Sequence, residues 1–367
     1  MKIRMTAMAL AGVFPALANF NYCQPIVIQH AKVSGSGQAD YVMSISDTDP
    51  HLASVSNGGN VQSATGNDIV FASDSLGQNL LKWDSLEVYN PATGQIVTHV
   101  NAGAISSTTD TTIYRCVENA LSGAFRGGTA GSAWPTTYRL VGHFGNNGGA
   151  VSAADSTASG NNGTAAGATS VAGILGSAAS LNGGSSYVGV PNSVTLQISG
   201  QLTIAVWLKL NAIPSGYTEI FRKGPGYFLF ADASPSIGLA INNDYLSAPN
   251  FPVPGASVGN WAQLVATYDS SNSQVKTYWN GALVSTRTTA NTLVPDSSAI
   301  GIGALETGNG QFLNGSIDEV RLSSVALTAD RIATDYRNQS SPSTFYVPGS
   351  WVAIPLTSAG GSQILIF

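Results

Sequence analysis

The acidic residues of the sequence include one adjacent pair inside a strand-like stretch, Asp318-Glu319. Hydrolysis of a glycosidic bond uses two carboxyl groups that flank the bond, one of them as a general acid. Neighbouring residues of a regular strand point to opposite faces of a sheet, so this pair cannot flank one bond. Glu87 and Glu306 stand alone, and no Glu-x-Asp-x-x-Glu stretch exists. The sequence therefore predicts a protein that is not an enzyme.

The other residue types that carry chemistry are few and scattered. The four histidines, at positions 30, 51, 99 and 143, have no Ser/His/Asp motif around them, which predicts ordinary surface or core histidines. Two cysteines are too few for a zinc module rich in Cys and His. Gly301 and Gly303 do not open a helix after a strand, so they predict a turn and not a phosphate-binding loop.

The composition narrows the class of protein. The chain has 367 residues, of which 15 are basic and 20 acidic, and 43% are hydrophobic. This length predicts two domains, and the hydrophobic content suffices for packed cores, unlike that of a disordered protein. The net charge of −5 argues against general nucleic-acid binding, which needs a basic patch. Low charge and abundant Gly, Ser, Thr and Asn favour an all-β protein outside cells or in a virus particle.

Short strand-like runs, which recur along the whole chain, are the elements that must position any site. Turn sequences such as Asn57-Gly58-Gly59-Asn60 separate them, and Asn280-Gly281 between alternating runs is a strong hairpin signal. One helix is predicted over 326–337, with Thr328 as its N-cap. A Gly-, Ala- and Ser-rich stretch sets a domain boundary near residue 136. The pattern predicts an all-β fold with two β-sandwich domains.

Both ends of the chain are apolar. Residues 1–18 begin with two basic residues, Lys2 and Arg4, and continue as an uncharged apolar run that ends in Ala16-Leu17-Ala18. This order is typical of a secretory signal peptide. The alternative is a leader that is retained as an N-terminal anchor. No stretch is long enough for a membrane-spanning helix, so no membrane span is predicted. The tail at 345–367 ends in apolar residues that need a partner surface, on the first domain or on another subunit.

Cys23 and Cys116 are the only cysteines. In a low-charge extracellular protein, two cysteines are able to form one disulfide, here closing a loop of roughly 90 residues. Two buried free thiols are the alternative.

The second half of the chain, over residues 138–340, resembles a LamG-like domain of the concanavalin A-like superfamily. This resemblance implies that the second domain is a jelly roll. The motifs that carry it, in family order, are Asp155-Ser156, Gly160-Asn161-Asn162-Gly163, Ser180-Leu181-Asn182-Gly183, 261–269, Asn280-Gly281, 300–303, 312–323 and the helix at 327–337.

The first half resembles a domain of unknown function that commonly precedes LamG-like domains in bacterial surface and phage proteins. The resemblance rests on residues 22–28, 66–71, 89–94 and 110–114. This chain departs from the family pattern at Cys23, where a basic residue is usual, and at 116–119, where an aromatic-rich stretch is usual. Both departures introduce a cysteine, which favours a disulfide between Cys23 and Cys116.

The resemblance to LamG-like domains implies two kinds of site. A structural Ca²⁺ ion often pins the first and last strands of such jelly rolls together, through oxygen ligands. The residues of this chain at those positions are Asp155, Asn161, Asn162 and Asp318. Carbohydrate binding would use exposed aromatic rings that stack on sugars. The candidates are Tyr217, Tyr227, Tyr245, Phe251 and Trp279. Turn formation and core packing are the alternative roles of these two sets.

The sequence thus predicts four segments: a leader or anchor at 1–18, a β-sandwich at 19–136, a LamG-like jelly roll at 137–344 and a strand tail at 345–367. We predict a non-enzymatic structural or adhesion protein, first as a bacteriophage virion component such as a capsid decoration, head fibre or tail protein. Located at the virion surface, it would contact other virion subunits, form a homo-oligomer and face a glycan. The alternative is a secreted bacterial surface protein that binds polysaccharide beside other surface-layer subunits.

Overall fold

A computed structural model describes residues 20–118, 124–145, 149–232, 236–244, 251–252 and 258–354. The named strands in this part of the chain pair antiparallel and form four sheets, which pack into two sandwiches. The predicted all-β fold class is confirmed. In the described residues, no helix has the length and hydropathy that crossing a membrane requires.

The first sandwich is built from the first part of the chain together with the end of the described chain. Its strands are β1 (Phe20–Ile28), β2 (Val42–Thr48), β3 (Ile69–Ala72), β4 (Lys82–Trp83), β5 (Val88–Asn90), β6 (Gln95–Asn101), β7 (Thr111–Glu118), and, much later in the chain, β23 (Tyr346–Pro348) and β24 (Val352–Ala353). One sheet has the order β23-β1-β7-β3 with β24 also on β1, and the other has the order β2-β6-β4 with β5 on β6. Ile26, Phe71 and Val100 lie in the core between them.

The second sandwich has two larger sheets. Its strands are β8 (Tyr138–Gly142), β9 (Thr164–Ala166), β10 (Thr169–Ala172), β11 (Ser177–Asn182), β12 (Tyr187–Val190), β13 (Gln201–Leu210), β14 (Thr218–Lys223), β15 (Tyr227–Ala231), β16 (Ser236–Ile241), β17 (Phe251–Pro252), β18 (Ala262–Asp269), β19 (Gln274–Trp279), β20 (Ala282–Thr288), β21 (Ile300–Ile302) and β22 (Asn314–Ser323). The eight-stranded sheet has the order β10-β11-β22-β13-β18-β19-β20, with β8 on β22. The seven-stranded sheet has the order β17-β16-β15-β14-β21-β12-β9.

Strand β13 shows how the sequence pattern builds the core of the second sandwich. Ile204, Val206 and Leu208 alternate along it and are fully buried between the two sheets, as the alternation predicts. Trp207 points to the other face, where its indole N–H donates to Gln339 Oε1 at 2.5 Å. The outer face of this sheet is therefore covered as well.

That cover is helix α1 (Ala329–Ser340), which is followed by the short helix α2 (Pro342–Phe345). Helix α1 begins three residues later than predicted, because Thr328 is extended and caps it by accepting the Arg331 N–H at 3.2 Å. Ile332 packs on the eight-stranded sheet. On the other side of the helix, the Asn338 side chain exchanges two hydrogen bonds with the Ser44 backbone of the first sandwich, at 2.7 and 3.0 Å. The helix thus joins the two domains.

The C-terminal tail returns to the first sandwich. Tyr346, Val347 and Pro348 pair with Ile28, Val27 and Ile26 of β1, and β24 pairs with the start of the same strand. Of the two partner surfaces left open by the sequence, the described part of the tail uses the first domain. Residues 1–18, predicted to be a leader or anchor, and the apolar end at 355–367 lie outside the described residues.

A disulfide links Cys23 of β1 to Cys116 of β7, which lie directly opposite each other in the strand register. The Cα atoms are 4.1 Å apart and the sequence separation is 93 residues. Both side chains are buried in the core of the first sandwich. The bond therefore joins two central strands of one sheet across a long stretch of chain.

Replacing both cysteines by alanine is expected to lower the free energy of unfolding by about 2 to 5 kcal/mol, since the unfolded chain loses a long covalent loop. Denaturant unfolding of the double variant and of the oxidised parent protein measures the difference. The reduced parent protein is the matched control and should resemble the variant. Equal stability of the oxidised and reduced parent protein would refute this role of the bond.

Candidate functional site

An open groove of about 320 Å³ lies at one end of the second sandwich. Strands β11 and β13 end beside it, and β14 and β22 begin there. The 212–217 loop between β13 and β14 forms one wall, and Phe312 and Asn314 form another. Pro214 and Gly216 are typical turn residues and let this loop cross the end of the sandwich. The rigid strands therefore hold the walls of the groove in place.

The ring of Tyr217 stands at this groove with 52% of the residue exposed, although it is a large apolar group. It stacks on Phe230 of β15, with ring centroids 6.0 Å apart and an angle of 27° between the rings. Phe230 itself is buried. One face of the Tyr217 ring thus packs on a buried partner. Because the ring is already held in place, it loses little side-chain entropy when it binds a ligand.

The polar groups of the groove are neutral. No charged side chain is found among the described residues that line it. The carboxamide of Asn314 accepts a hydrogen bond from Asn211 Nδ2 at 2.9 Å, which fixes its orientation. No described residue accepts a hydrogen bond from its own N–H₂ group, which leaves this donor for a ligand. The site combines an aromatic platform with amide and hydroxyl groups.

A network of titratable groups lies around Arg222 of β14, the strand that begins beside the groove. Its guanidinium donates to Glu219 Oε1 at 2.8 Å and to Glu306 Oε2 at 2.9 Å, and packs 4.5 Å from the ring of Phe228. Phe228 in turn contacts Phe230. Glu306 is isolated in the sequence. Strand pairing between β14 and β21 nevertheless places it beside Arg222, the arginine that also binds Glu219.

The described members of the predicted carbohydrate-binding aromatics, which are Tyr217, Tyr227 and Trp279, do not form one cluster. Tyr217 borders the groove. Tyr227 was predicted as an exposed platform, but it is 1% exposed and its hydroxyl donates to Leu196 O at 3.0 Å, so it cannot stack on a sugar. Its position on β15 points inward, to the core. Trp279 is half-buried and packs against the same core. Tyr245 and the side chain of Phe251 lie outside the described residues.

The predicted calcium ligands fall into two separate hydrogen-bonded groups. Asp155 accepts from the N–H groups of Val141, Thr157 and Asn161, and Asn162 Oδ1 accepts from Asp155 N. Asn161 donates to Arg139 O. These bonds organise a turn. Asp318 accepts instead from a different loop, at Ile174 and Leu175. Calcium binding by Asp155, Asn161, Asn162 and Asp318 stays a prediction, to which these contacts add no support.

Sequence reasoning missed a cluster of seven ionisable side chains between the two sandwiches, which we call the interdomain cluster. Its histidines looked scattered and Glu87 looked isolated, because the members come from four distant stretches of chain and share no spacing. The first sandwich supplies three members and the second supplies four. They are Asp84, Glu87 and His99, and His143, Asp318, Glu319 and Arg321.

Glu319 is the centre of this cluster. Its Oε1 accepts from His143 Nδ1 at 2.6 Å, and its Oε2 accepts from Arg321 Nη2 at 2.6 Å and lies 3.3 Å from His99 Nε2. Its carboxyl has a pKa well below the usual range, because the neighbouring positive charges of His143 and Arg321 outweigh the effect of burial. The residue is 1% exposed.

The backbone conformation of Glu319 explains why the side chains of Asp318 and Glu319 lie in the same part of the domain interface. Glu319 has a φ of 48°, in the left-handed region, and the pairing of β22 with β13 shifts register there. Such a bulge interrupts the regular alternation of side chains. Glu319 consequently raises the pKa of Glu87, and Glu87 raises that of Asp318. The expectation that neighbouring strand residues must face apart was wrong at this point of the sheet.

A shared metal ion fits the interdomain cluster poorly, although Asp84, His99 and His143 bring ligand atoms within 4.8 Å of one another. The rings of His99 and His143 stack with centroids 4.1 Å apart and only 13° between their planes. Ring nitrogens bind a metal in the plane of the ring, so two stacked rings cannot converge on one ion. The group Glu87, His143 and Glu319 is equally close, but both oxygens of Glu319 already accept hydrogen bonds. The contacts are those of an ion-pair network.

The buried carboxyl Glu219 leads to a prediction about pH. Burial raises the pKa of Glu219 to about 7, against the opposing effect of Arg222. The folded state therefore keeps a proton that the unfolded state has lost, so stability should fall as the pH rises from about 4.5 to about 7, by about 2 to 3 kcal/mol. Replacing Glu219 by Gln should flatten this slope in denaturant unfolding. The exposed Asp40, replaced by Asn, serves as the control; equal slopes for E219Q and the parent protein would contradict the prediction.

Comparison with known proteins gives similar solved structures and one matching family model. Domain 4 of an extracellular arabinanase from Geobacillus stearothermophilus, in complex with arabinotriose, is 23% identical with a TM-score of 0.44, over 55% of this chain and 98% of that one. The binding domain of botulinum neurotoxin serotype D is 16% identical with a TM-score of 0.44, over 56% of this chain and 52% of that one. This chain thus spans about half of the toxin domain. No curated protein matches the sequence. The family model of the concanavalin A-like lectin/glucanases superfamily (Laminin_G_3) matches residues 182–333, from the end of β11 into α1.

Proposed function

We propose that the second domain binds a glycan in the groove bordered by Tyr217. The observation that carries this proposal is the half-exposed Tyr217 ring, held from behind by Phe230 at the mouth of an open groove. A sugar ring has an apolar face that packs on an aromatic ring and hydroxyl groups that seek amides and other hydroxyls. Asn314 and Thr218 supply such groups beside the ring.

The lining of the groove favours a neutral glycan. An acidic sugar would lose hydration on entry and would find no Lys or Arg side chain among the described lining residues to replace it. Arg222, on the strand that begins beside the groove, is already bonded to Glu219 and Glu306. We therefore propose that uncharged oligosaccharides bind and that those built from uronic or sialic acids do not.

We further propose binding without turnover. Glycoside hydrolysis needs two carboxyl groups free to face one glycosidic bond. The described residues that line the groove include no carboxyl group, and Glu219 and Glu306 are both bonded to one arginine, which opposes such a role. Incubation of the protein with the oligosaccharides that bind should therefore release no product.

Binding of neutral oligosaccharides tests this function through Tyr217. Tyr217→Ala should weaken binding by at least about tenfold, or 1.4 kcal/mol, because the stacking surface is lost. Tyr217→Phe should keep most of the affinity, since it keeps the ring. Calorimetry against a panel of neutral and acidic oligosaccharides, with Val194→Ala as an exposed control outside the groove, measures the effect. Unchanged affinity in Tyr217→Ala would contradict the proposed site.

The biological setting of this binding stays a prediction from the sequence. A virion surface component with a homo-oligomeric contact and a secreted bacterial surface protein both suit a domain that binds glycans. The intact mass of the protein from its native source separates them, because a secreted protein would lack residues 1–18 and a virion component would retain them.

A further inference from the structure

The interdomain cluster contains more acidic groups than its cations can balance. Four carboxyl groups meet there, from Asp84, Glu87, Asp318 and Glu319, and Arg321 is the one permanent cation among the seven described members. His143 provides a second positive charge, since its ring lies between Glu319, at 2.6 Å, and Asp84, at 3.4 Å. With every carboxyl group ionised, the cluster would carry an excess of two negative charges.

His99 does not remove this excess. Its ring stacks on that of His143 with centroids 4.1 Å apart, and a second positive charge at this distance would repel the first. Burial lowers the pKa of His99 as well, although Glu319 acts in the opposite direction. Of the two stacked rings, that of His143 is therefore the better placed to carry the positive charge, since both of its nitrogens face carboxyl groups. The excess charge must be removed in another way when the two domains close on each other.

We propose that the carboxyl groups of the interdomain cluster hold protons when the two domains are in contact, and that Glu87 holds one of them. Loss of these protons at alkaline pH then weakens the interface between the domains. Uncompensated charge is costly in a buried site, and a carboxyl group avoids this cost by remaining neutral. The cluster would then hold the two domains together most tightly at mildly acidic to neutral pH.

The surroundings of Glu87 support its role as the proton carrier. The side chain crosses from the first sandwich into a socket of the second, where a Cβ atom on Gly145 or on Gly176 would collide with its carboxyl group. Oε1 accepts the Ser177 N–H at 3.0 Å, whereas Oε2 is out of contact with solvent and has no hydrogen-bond partner among the described residues. Burial raises the pKa of Glu87 to about 8, with Glu319 adding to the effect and His143 opposing it.

Asp318 is the second buried carboxyl group of the cluster, and three backbone N–H groups donate to it. Asp84 is partly exposed and accepts the Trp134 indole N–H at 2.6 Å. Arg321 faces Asp335 and Tyr138 in addition to Glu319. These residues are the charged and titratable groups around Glu87 in the interdomain cluster.

The sign of the pH effect follows from Glu87. Its folded-state pKa lies above that of the unfolded chain, so its contribution to stability is complete below about pH 4.5 and is lost as the pH rises through about 8. His99 acts in the opposite sense, because its pKa is lowered in the folded state and stability is lost as the pH falls below about 6.5. A comparison of two chains that both contain His99 cancels that second effect.

Glu87→Gln is the decisive variant, because glutamine has the shape of the protonated side chain and cannot ionise. Denaturant unfolding gives the equilibrium constant for unfolding of each protein. The constant of the parent protein, divided by that of the variant, should rise by at least about tenfold between about pH 6 and about pH 9. The variant would thus be the more stable relative to its parent at alkaline pH. Asp40→Asn, an exposed change from acid to amide, should leave the ratio constant.

A ratio that stays constant with pH for Glu87→Gln would overturn the proposal. So would a result in which EDTA destabilises the parent protein at about pH 9 and Zn²⁺ restores it, because a cation and not a proton would then balance the cluster. If the variant does not fold, infrared spectroscopy of Glu219→Gln decides, because this variant lacks the carboxyl group outside the interdomain cluster whose pKa burial raises, to about 7. A band from a protonated carboxylic acid should disappear with a midpoint near pH 8, and its absence at about pH 6 would overturn the proposal.

Discussion

One buried carboxylate, that of Glu319, connects the two domains of this protein. It holds His143 and Arg321 of its own sandwich at 2.6 Å each, and lies 3.3 Å from His99 of the other sandwich. Charged residues are only 10% of the chain, so their concentration at one buried interface is notable. An unpaired charge there would cost several kcal/mol, which makes each member of the cluster dependent on the others. The left-handed backbone of Glu319, a conformation that costs on the order of 1 to 3 kcal/mol, persists because these partners fix it.

The rest of the interface is arranged around this contact. Helix α1 lies between the domains, with Asn338 bonded to the Ser44 backbone and Ile332 packed on the eight-stranded sheet. Strands β23 and β24 then return to β1, so the second sandwich is inserted between parts of the first. The proposed glycan groove lies at an end of the second sandwich formed by strand termini and a short loop. The interface therefore orients the groove without contributing residues to it.

Local sequence signals were sufficient for the strands, the capped helix and the two sandwiches. The Asn280-Gly281 turn joins β19 and β20, and Asn280 and Gly281 have positive φ angles of 50° and 77°, as the hairpin signal requires. Alternation in β13 separated core residues from outward ones. Tyr217 was identified as a candidate platform from its residue type and its place in the second domain, but the same reasoning selected Tyr227, which faces the core. Alternation cannot tell a covered face from an open one when residues on both faces of a strand are aromatic.

The interdomain cluster was beyond sequence reasoning for a physical reason. Its members join only when two sandwiches dock, and docking depends on surfaces that no spacing in one sequence encodes. The bulge at Glu319 added a second obstacle, because it breaks the alternation on which the separation of Asp318 and Glu319 was argued. Irregular backbone at a buried site is the kind of feature that a pattern of period two cannot anticipate.

We expect the buried interface to make the two sandwiches one cooperative unit. Differential scanning calorimetry of the intact chain at about pH 6 tests this coupling most directly, because it compares the heat absorbed with the sharpness of the transition. One transition, whose calorimetric and van't Hoff enthalpies agree, is predicted. Two resolved transitions, each with the enthalpy of one sandwich, would contradict it and would show that the Glu319 contacts do not couple the domains.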